Sequence, residues 1–254
     1  MKNIWVIAKN TLTLEVRDKI LYGILAFGVL YVLLMLFMAD LVLRELPMVK
    51  SFGLTGIYFF NALVAIFLGT TSFFKDIDRK VAYFILSKPV SRAQFLLGKF
   101  LGLCLVLLLT SAILGVAYLG LILHEHGGFD WLGVLAIGMQ YLEMVLFVAF
   151  AIFVSTFASS LLSVVYTSAV FFLGHVVSQL VSDASQMGIG GAKLFFVKVL
   201  YYAFPNLEKF DARSLAIHAV GMPFAEFGLA LAYAAAYCAL LLFAAIWVFE
   251  KKEL

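Results

Sequence analysis

Six apolar runs, each close to the length that crosses a bilayer, leave this chain few folds. They cover about Ile20–Leu41, Phe52–Phe74, Phe95–Leu123, Trp131–Phe157, Leu161–Val181 and Phe224–Phe249. About 20 apolar residues in a helix span the hydrocarbon core. Lipid offers the backbone no hydrogen-bond partners, so helices that satisfy themselves are the natural solution. Composition agrees. Of 254 residues, 65% are hydrophobic and 13% charged, whereas a soluble domain carries about 25% charged residues. The expected fold is all-α: a polytopic bundle of six transmembrane helices forming one domain over residues 1–254.

One charged stretch breaks the pattern. Phe74–Lys99 carries Lys75, Arg79, Lys80, Lys88, Arg92 and Lys99 against only Asp76 and Asp78. A loop this basic between two spans faces the cytoplasm. Charge alone fits a headgroup anchor as well as a docking element, but the patterning resembles folded structure. Asp76 or Asp78 suits a helix start, where unpaired N–H groups favour negative charge. Ile77, Val81, Phe84 and Ile85 form one apolar stripe. Pro89 stops the helix and pushes Lys88 toward extended backbone. Ser91-Arg92-Ala93-Gln94 then reads as a capping box opening the third span.

Six crossings return both termini to one side, and charge says which. Lys2, Lys9, Arg17, Lys19, the six cations of the loop, Lys251 and Lys252 lie on the terminal side. Half as many, Arg44, Lys50, Lys193, Lys198, Lys209 and Arg213, lie opposite. Both termini are therefore expected in the cytoplasm. Within residues 1–19, Ile4, Ile7, Ala8, Leu12 and Val16 recur at helical spacing with Lys9 and Glu15 between them. This predicts an amphipathic helix in the membrane interface, with Trp5 at headgroup depth. The first apolar run is too long for a signal-peptide core and lacks a small-residue exit, so it reads as a retained span.

The connections differ in length. Ala158-Ser159-Ser160 predicts a tight helical hairpin between the fourth and fifth spans, although one bent helix also fits. His124–Asp130 is a short outer loop. Residues 182–223 form a long one, with a helix expected over Ala192–Phe204, a stop at Pro205-Asn206, and a further short helix within Asp211–Val220. A loop this long usually has a task, either capping the bundle or touching substrate. The pairs Gly98/Gly102 and Ala230/Ala234, four residues apart, predict close helix contacts.

Ionisable groups at membrane depth are functional candidates. Asn61, Glu143 (with Gln140 one turn earlier), Tyr166, Thr167 and His175 either tie helices together or line a central path. Cys104 and Cys238 sit in apolar runs and read as inert thiols. His124, Glu125 and His126 lack the four ligands of a closed metal site, so no metal is expected on the chain. There is no Gly-x-Ser-x-Gly, no HExxH and no phosphate-binding loop, since the Gly188–Gly191 cluster lacks the following Lys-Ser. The chain itself is expected to be no enzyme, and its small net charge of +3 gives no case for nucleic acid.

The string LSKPVSRAQFLLGK (residues 86–99) resembles the segment after the second span in ABC-2 type permeases, the membrane subunits of one class of ATP-binding-cassette transporters. The opening MKNIWVIAKNTLTLEVRDKILYGIL resembles their N-terminal elbow helix, and Tyr202-Ala203-Phe204-Pro205-Asn206-Leu207 resembles their outer Pro-Asn segment. The layout is most similar to the copper-enzyme maturation permease of nitrous oxide reductase assembly. One departure is that Lys75–Lys80 is less acidic than the Glu-rich run of many relatives.

The resemblance implies a coupling helix over Asp76–Ser87 within a cytoplasmic segment 75–94. Asp76, Asp78, Arg79, Lys80, Tyr83, Phe84, Ser87, Lys88, Pro89 and Arg92 would meet a separate ATPase. Two permease chains and two ATPases would work together, as an exporter of a bacterial or archaeal plasma membrane. ATP and magnesium would bind the partner, with no cofactor on this chain. A periplasmic partner at the outer loop is implied as well. The alternative is a scaffold subunit that relays ATPase movement outward without moving cargo. The resemblance also implies that the second and fifth spans line the path.

Overall fold

The computed structural model describes residues 2–41, 46–78, 90–126, 128–186, 205, 207–218, 220–221 and 224–251. All regular structure among them is helical. In chain order the helices are α1 (Lys2–Val16), α2 (Lys19–Leu41), α3 (Leu46–Asp78), α4 (Arg92–His126), α5 (Trp131–Ser155), α6 (Ser160–Gln186), α7 (Arg213–Ile217) and α8 (Phe224–Glu250), with a single 3-10 turn, Glu208–Phe210, before α7.

Five of these helices, α2, α3, α4, α5 and α8, are long and apolar enough to cross a membrane. The sixth expected span falls on α6, whose apolar part, Ser160–His175, is shorter. The helix itself continues to Gln186. Helix direction alternates through the bundle. Arg92 at the start of α4 donates to the Phe249 carbonyl at the end of α8, and Asn3 of α1 donates to Gln94 at 3.4 Å. Both described ends of the chain therefore lie at one end of the bundle, called here the terminal end.

α5 is the hub. It packs against α3, α4, α6 and α8, and its buried face runs from Gly133 to Ser155. Two apolar layers surround it. Toward the terminal end, Phe73, Phe95 and Phe249 meet edge-on and stacked. At the opposite end, Leu54, Tyr118, Leu121, Met139, Phe210 and Ala216 close the core. α2 has the most open surface, with Phe27, Leu30, Leu33 and Phe37 exposed, as befits a helix solvated by lipid.

Several boundaries move from their sequence expectation. The second apolar run was expected over 52–74, yet α3 extends from Leu46 to Asp78. Ion pairs account for the extension, because Lys50 near one end and Asp76 near the other are buried against partners. Asp76 and Asp78 consequently do not open a helix. They lie within the helical residues of α3, and Lys99 neutralises Asp76. The capping box at Ser91 forms as expected. The Gln94 N–H donates to Ser91 Oγ at 3.2 Å, and the Ser91 N–H donates to Gln94 Oε1 at 3.4 Å. The chain turns between Thr156 and Ser159, so α5 and α6 are two helices rather than one bent helix. The expected outer helix appears as α7 with its 3-10 turn. The apolar stripe from Val81 onward, the Pro89 corner and the Ala192–Phe204 helix lie outside the described residues.

α1 lies along α4. Ile7, Ala8, Thr11 and Glu15 are buried and Trp5 is exposed. The contact depends on the expected glycine pair. A Cβ on Gly102 would stand 2.8 Å from the Ala8 carbonyl oxygen, and one on Gly98 3.0 Å from that of Ile4. Backbone atoms yield little, so a large side chain here must part the helices. Gly102→Leu is expected to destabilise the chain by about 1–3 kcal/mol, while Gly120→Ala, with open space at its Cβ, should be neutral or slightly stabilising. Thermal unfolding in nanodiscs checks both; equal midpoints for the two variants would refute the close packing.

Candidate functional site

Two polar assemblies and one cluster at membrane depth stand out of the apolar packing. The first lies at the terminal end, where α1, α3 and α4 meet. Ser72 hydrogen-bonds the Glu15 carboxylate. Lys75 pairs with Asp18 and lies 3.8 Å from Glu15. Asp76 pairs with Lys99, whose side chain is only 2% exposed. A buried cation needs both charge balance and hydrogen bonds. The pair therefore fixes the end of α3 against the second turn of α4.

These contacts locate part of the expected coupling segment. Asp76 is spent on Lys99. Asp78 ends α3, and nothing is described of its side chain. Arg79, Lys80, Tyr83, Phe84, Ser87, Lys88 and Pro89 lie outside the described residues. Arg92 is held by the carboxyl end of α8, with its guanidinium 5.4 Å from the Phe249 ring centre. Segment 79–89 is therefore bracketed by anchored residues on both sides.

The second assembly closes the opposite end. Lys50 Nζ donates to Asp130 Oδ1 at 2.8 Å and to the Ala216 carbonyl at 3.4 Å. The Tyr118 hydroxyl donates to Asp130 Oδ2 at 2.6 Å. One buried network thus ties α3, α4, the start of α5 and α7.

Between them lies the cluster. Glu143 of α5 accepts from the Tyr58 hydroxyl of α3 at 2.8 Å. His175 of α6 brings Nε2 to 2.6 Å from that hydroxyl and 3.3 Å from Glu143 Oε1. Tyr58 is twelve residues into α3, or about 18 Å along its axis. The residues at the start of α7 roof the cluster: Arg213 stacks over the Tyr58 ring at 4.5 Å and is clamped by Asp211 at 2.9 Å and 3.2 Å. Leu207 and Phe210 are buried beneath it.

Burial alone would raise the Asp211 carboxyl, but the hydrogen bonds and charge of Arg213 outweigh it and hold the group below its usual value. Burial would likewise lower the Arg213 guanidinium, and Asp211 overcomes that to raise it.

Of the five residues expected along a path, the fold unites Glu143 and His175. Asn61 is buried one turn away and accepts from Thr110 at 3.1 Å. Thr167 is buried, and its hydroxyl has no partner among the described residues. Tyr166 is 49% exposed on α6, away from the buried face that carries Thr167. Tyr58, Arg213, Asp211, Lys50, Asp130 and Lys99 escaped sequence reasoning. Only Lys99 carried a signal, as a lone cation within an apolar helix. Among the described residues no group of three or more His, Cys, Asp or Glu side chains could hold a metal.

A family model described as "ABC-2 family transporter protein" matches residues 5–254. The match is to the family and not to the copper-enzyme maturation subgroup. No curated protein matches the chain.

Two outcomes follow for the polar groups. Lys50→Met strands Asp130 as a buried charge and should cost about 3–5 kcal/mol; Lys50→Met with Asp130→Asn should recover most of it, as read by unfolding in mixed micelles. For Asp211 the lowered folded value means that its contribution is complete above the ordinary carboxylate range. It fades as pH falls through that lowered value. In Arg213→Gln the carboxyl titration should move upward, observed by carbon-13 NMR of labelled Asp; an unmoved titration would refute the clamp.

Proposed function

The chain belongs to the ABC-2 family of transporter proteins, and from this premise we propose that it is the permease subunit of an ATP-driven exporter. The family implies an ABC-type ATPase as its partner, and the apolar helices make it a multi-pass membrane protein. In the proposed assembly two permease chains meet two ATPases, which bind ATP and magnesium. The chain needs no cofactor of its own and catalyses no reaction itself. Both termini face the cytoplasm of a bacterial or archaeal cell, as the cation bias favours. The copper-enzyme maturation role remains the subgroup proposal, with the long outer loop as the surface for a periplasmic partner.

The observation that carries the coupling mechanism is the Asp76–Lys99 pair. Segment 79–89 joins α3 to α4, and the pair braces its two roots together. An ATPase that grips Arg79, Lys80, Tyr83, Phe84, Ser87 and Lys88 would move α3 and α4 as one lever instead of splaying them. Arg92 would pass the motion to α8, and the contacts of α1 with α4 would carry it into the interface. Movement of α3 reaches Tyr58 and hence α5 and α6, where Glu143 and His175 would line the path. Asn61 and Thr167 would join them on opening, with Tyr166 beside them.

The scaffold reading has its own support in the burial of Leu207, Phe210 and Ala216 and the grip of Arg213 on Tyr58. That linkage could carry movement to an outer partner without flux. Reconstitution with the ATPase separates the two: cargo movement supports the exporter, while ATP hydrolysis coupled to an outer partner without flux supports the scaffold.

Replacing Arg79, Lys80 and Tyr83 together should abolish capture of the ATPase in a pull-down, and full retention would remove the docking assignment. Asp76→Asn should leave the ATPase bound yet lower transport within the 5–150-fold range of typical coupling energies; unchanged flux per ATP would refute the lever. His175→Leu should change cargo-stimulated ATPase activity, and an unchanged rate would count against a lining role.

A further inference from the structure

The geometry of Tyr58, Glu143 and His175 fixes how many protons the three groups hold. His175 Nδ1 lies 2.8 Å from the Phe171 carbonyl. A carbonyl only accepts, so Nδ1 carries a proton and donates. Nε2 then faces two oxygens, Tyr58 Oη at 2.6 Å and Glu143 Oε1 at 3.3 Å, while those oxygens stand 2.8 Å apart.

If Tyr58 supplied the only proton inside this triangle, one edge would be bonded. The carboxylate and the bare nitrogen would then face each other as two acceptors. A carboxylate as buried as that of Glu143 does not tolerate an unmatched lone pair at contact distance. Glu143 is 3% exposed at its side chain, so water does not relieve it.

We propose that Tyr58, Glu143 and His175 form a proton-binding relay shared by α3, α5 and α6, holding one proton beyond those of Tyr58 and Nδ1. Two arrangements satisfy the triangle. In one, a protonated Glu143 donates to Tyr58, and Tyr58 donates to Nε2. In the other, Nε2 is protonated and donates to Tyr58, and Tyr58 donates to the Glu143 carboxylate. Passing between them breaks one O–H bond at Glu143 and one at Tyr58, and forms one O–H at Tyr58 and one N–H at His175. The net transfer is one proton from Glu143 to His175, and Tyr58 ends as it began.

The charges around the relay are set by neighbouring elements. Arg213 lies over the Tyr58 ring and opposes a cation on His175, while Asp211 offsets Arg213. α5 contributes Glu143 and the uncharged Gln140, which is held by the Leu54 carbonyl at 3.2 Å. The His175 side chain is 31% exposed, so it is the group through which the proton enters or leaves.

The three members stand on three helices. Parting α6 from α3 and α5 dismantles the triangle and removes the reason for the shared proton. Each such opening therefore exchanges a proton with the surroundings. This consequence for turnover rests on the permease reading, but the proton count does not.

The test uses the full chain in nanodiscs, with nitrogen-15 labelled histidine and infrared detection of the carboxyl stretch. Wild type should show either an imidazolium or a protonated carboxyl, assigned with His175→Gln and Glu143→Gln. Tyr58→Phe, which deletes the relay oxygen and keeps both end groups, should alter that signature. An ionised Glu143 beside a neutral imidazole, or a Tyr58→Phe signature identical to wild type, would overturn the relay. With the ATPase present, His175→Gln should change the shape of the pH profile of ATP hydrolysis. A uniform loss at every pH would mark a packing role and overturn the exchange. Failure of any ATPase to bind would instead sink the permease reading, with the labelled signatures still deciding the relay.

Discussion

The pairing of Asp76 with Lys99 is the contact on which the terminal end of the bundle depends. Both charges are withdrawn from water, a cost of several kcal/mol for each ion before their mutual attraction is counted. Such a pair is weak evidence for stability. It is stronger evidence for geometry, because each charge can be neutralised only where the other stands. The pair sets the register of α3 against α4, and with it the span that segment 79–89 must bridge. Ser72–Glu15 and Lys75–Asp18 extend the same logic to α1. The terminal end is thus held by ionic contacts of specified partners, while the middle of the bundle is held by apolar packing that lipid itself does little to drive.

α5 shows how that packing is achieved. Nearly its whole inner face is Ala, Met, Phe and Val without a fixed charge except Glu143. Small residues bring neighbours close: the α3 backbone at Gly69 leaves room only for the Ala151 methyl group of α5. A hub of this kind transmits displacement because close-packed neighbours have nowhere to slide. The one charged group on the hub, Glu143, is also the one that meets side chains of both α3 and α6.

Local features were legible from the residues. The Ser91–Gln94 box, the buried stripe of α1, the turn after Ser155 and the Gly98/Gly102 seam are all written within one or two helical turns. They came out as expected because local sequence sets local geometry. The boundaries of α3 were misjudged for the opposite reason. Lys50 and Asp76 read as charges that should stop a span, and their partners Asp130 and Lys99 lie 80 and 23 residues away. Tyr58 gave no sign at all. It sits in an aromatic-rich run, where Ile57, Phe59 and Phe60 make a tyrosine look like packing. Its role appears only when Glu143, 85 residues on, and His175, 117 residues on, are brought to its hydroxyl. Arg213 looked like one more outer-loop cation and instead covers that ring.

The two ends of the molecule differ in how their polar contacts are shared. At the terminal end, Lys75 and Asp76 of α3 are matched by partners on α1, the turn after it and α4, which ties these helices together. At the level of Tyr58 the matching crosses from α3 to α5 and α6, with Arg213 reaching in from outside. In the proposed lever, a displacement that leaves the Asp76–Lys99 pair intact would be absorbed at the hydrogen bonds of Tyr58 with Glu143 and His175. Two bonds meeting at one hydroxyl make a poor rigid joint, because shifting Tyr58 breaks its bonds to Glu143 and His175 together. They make a good release, since the described polar contacts of Tyr58 with α5 and α6 fail at once. Arg213 rests on the same ring whose hydroxyl holds the joint closed, so the segment that carries it is coupled to that joint by direct contact.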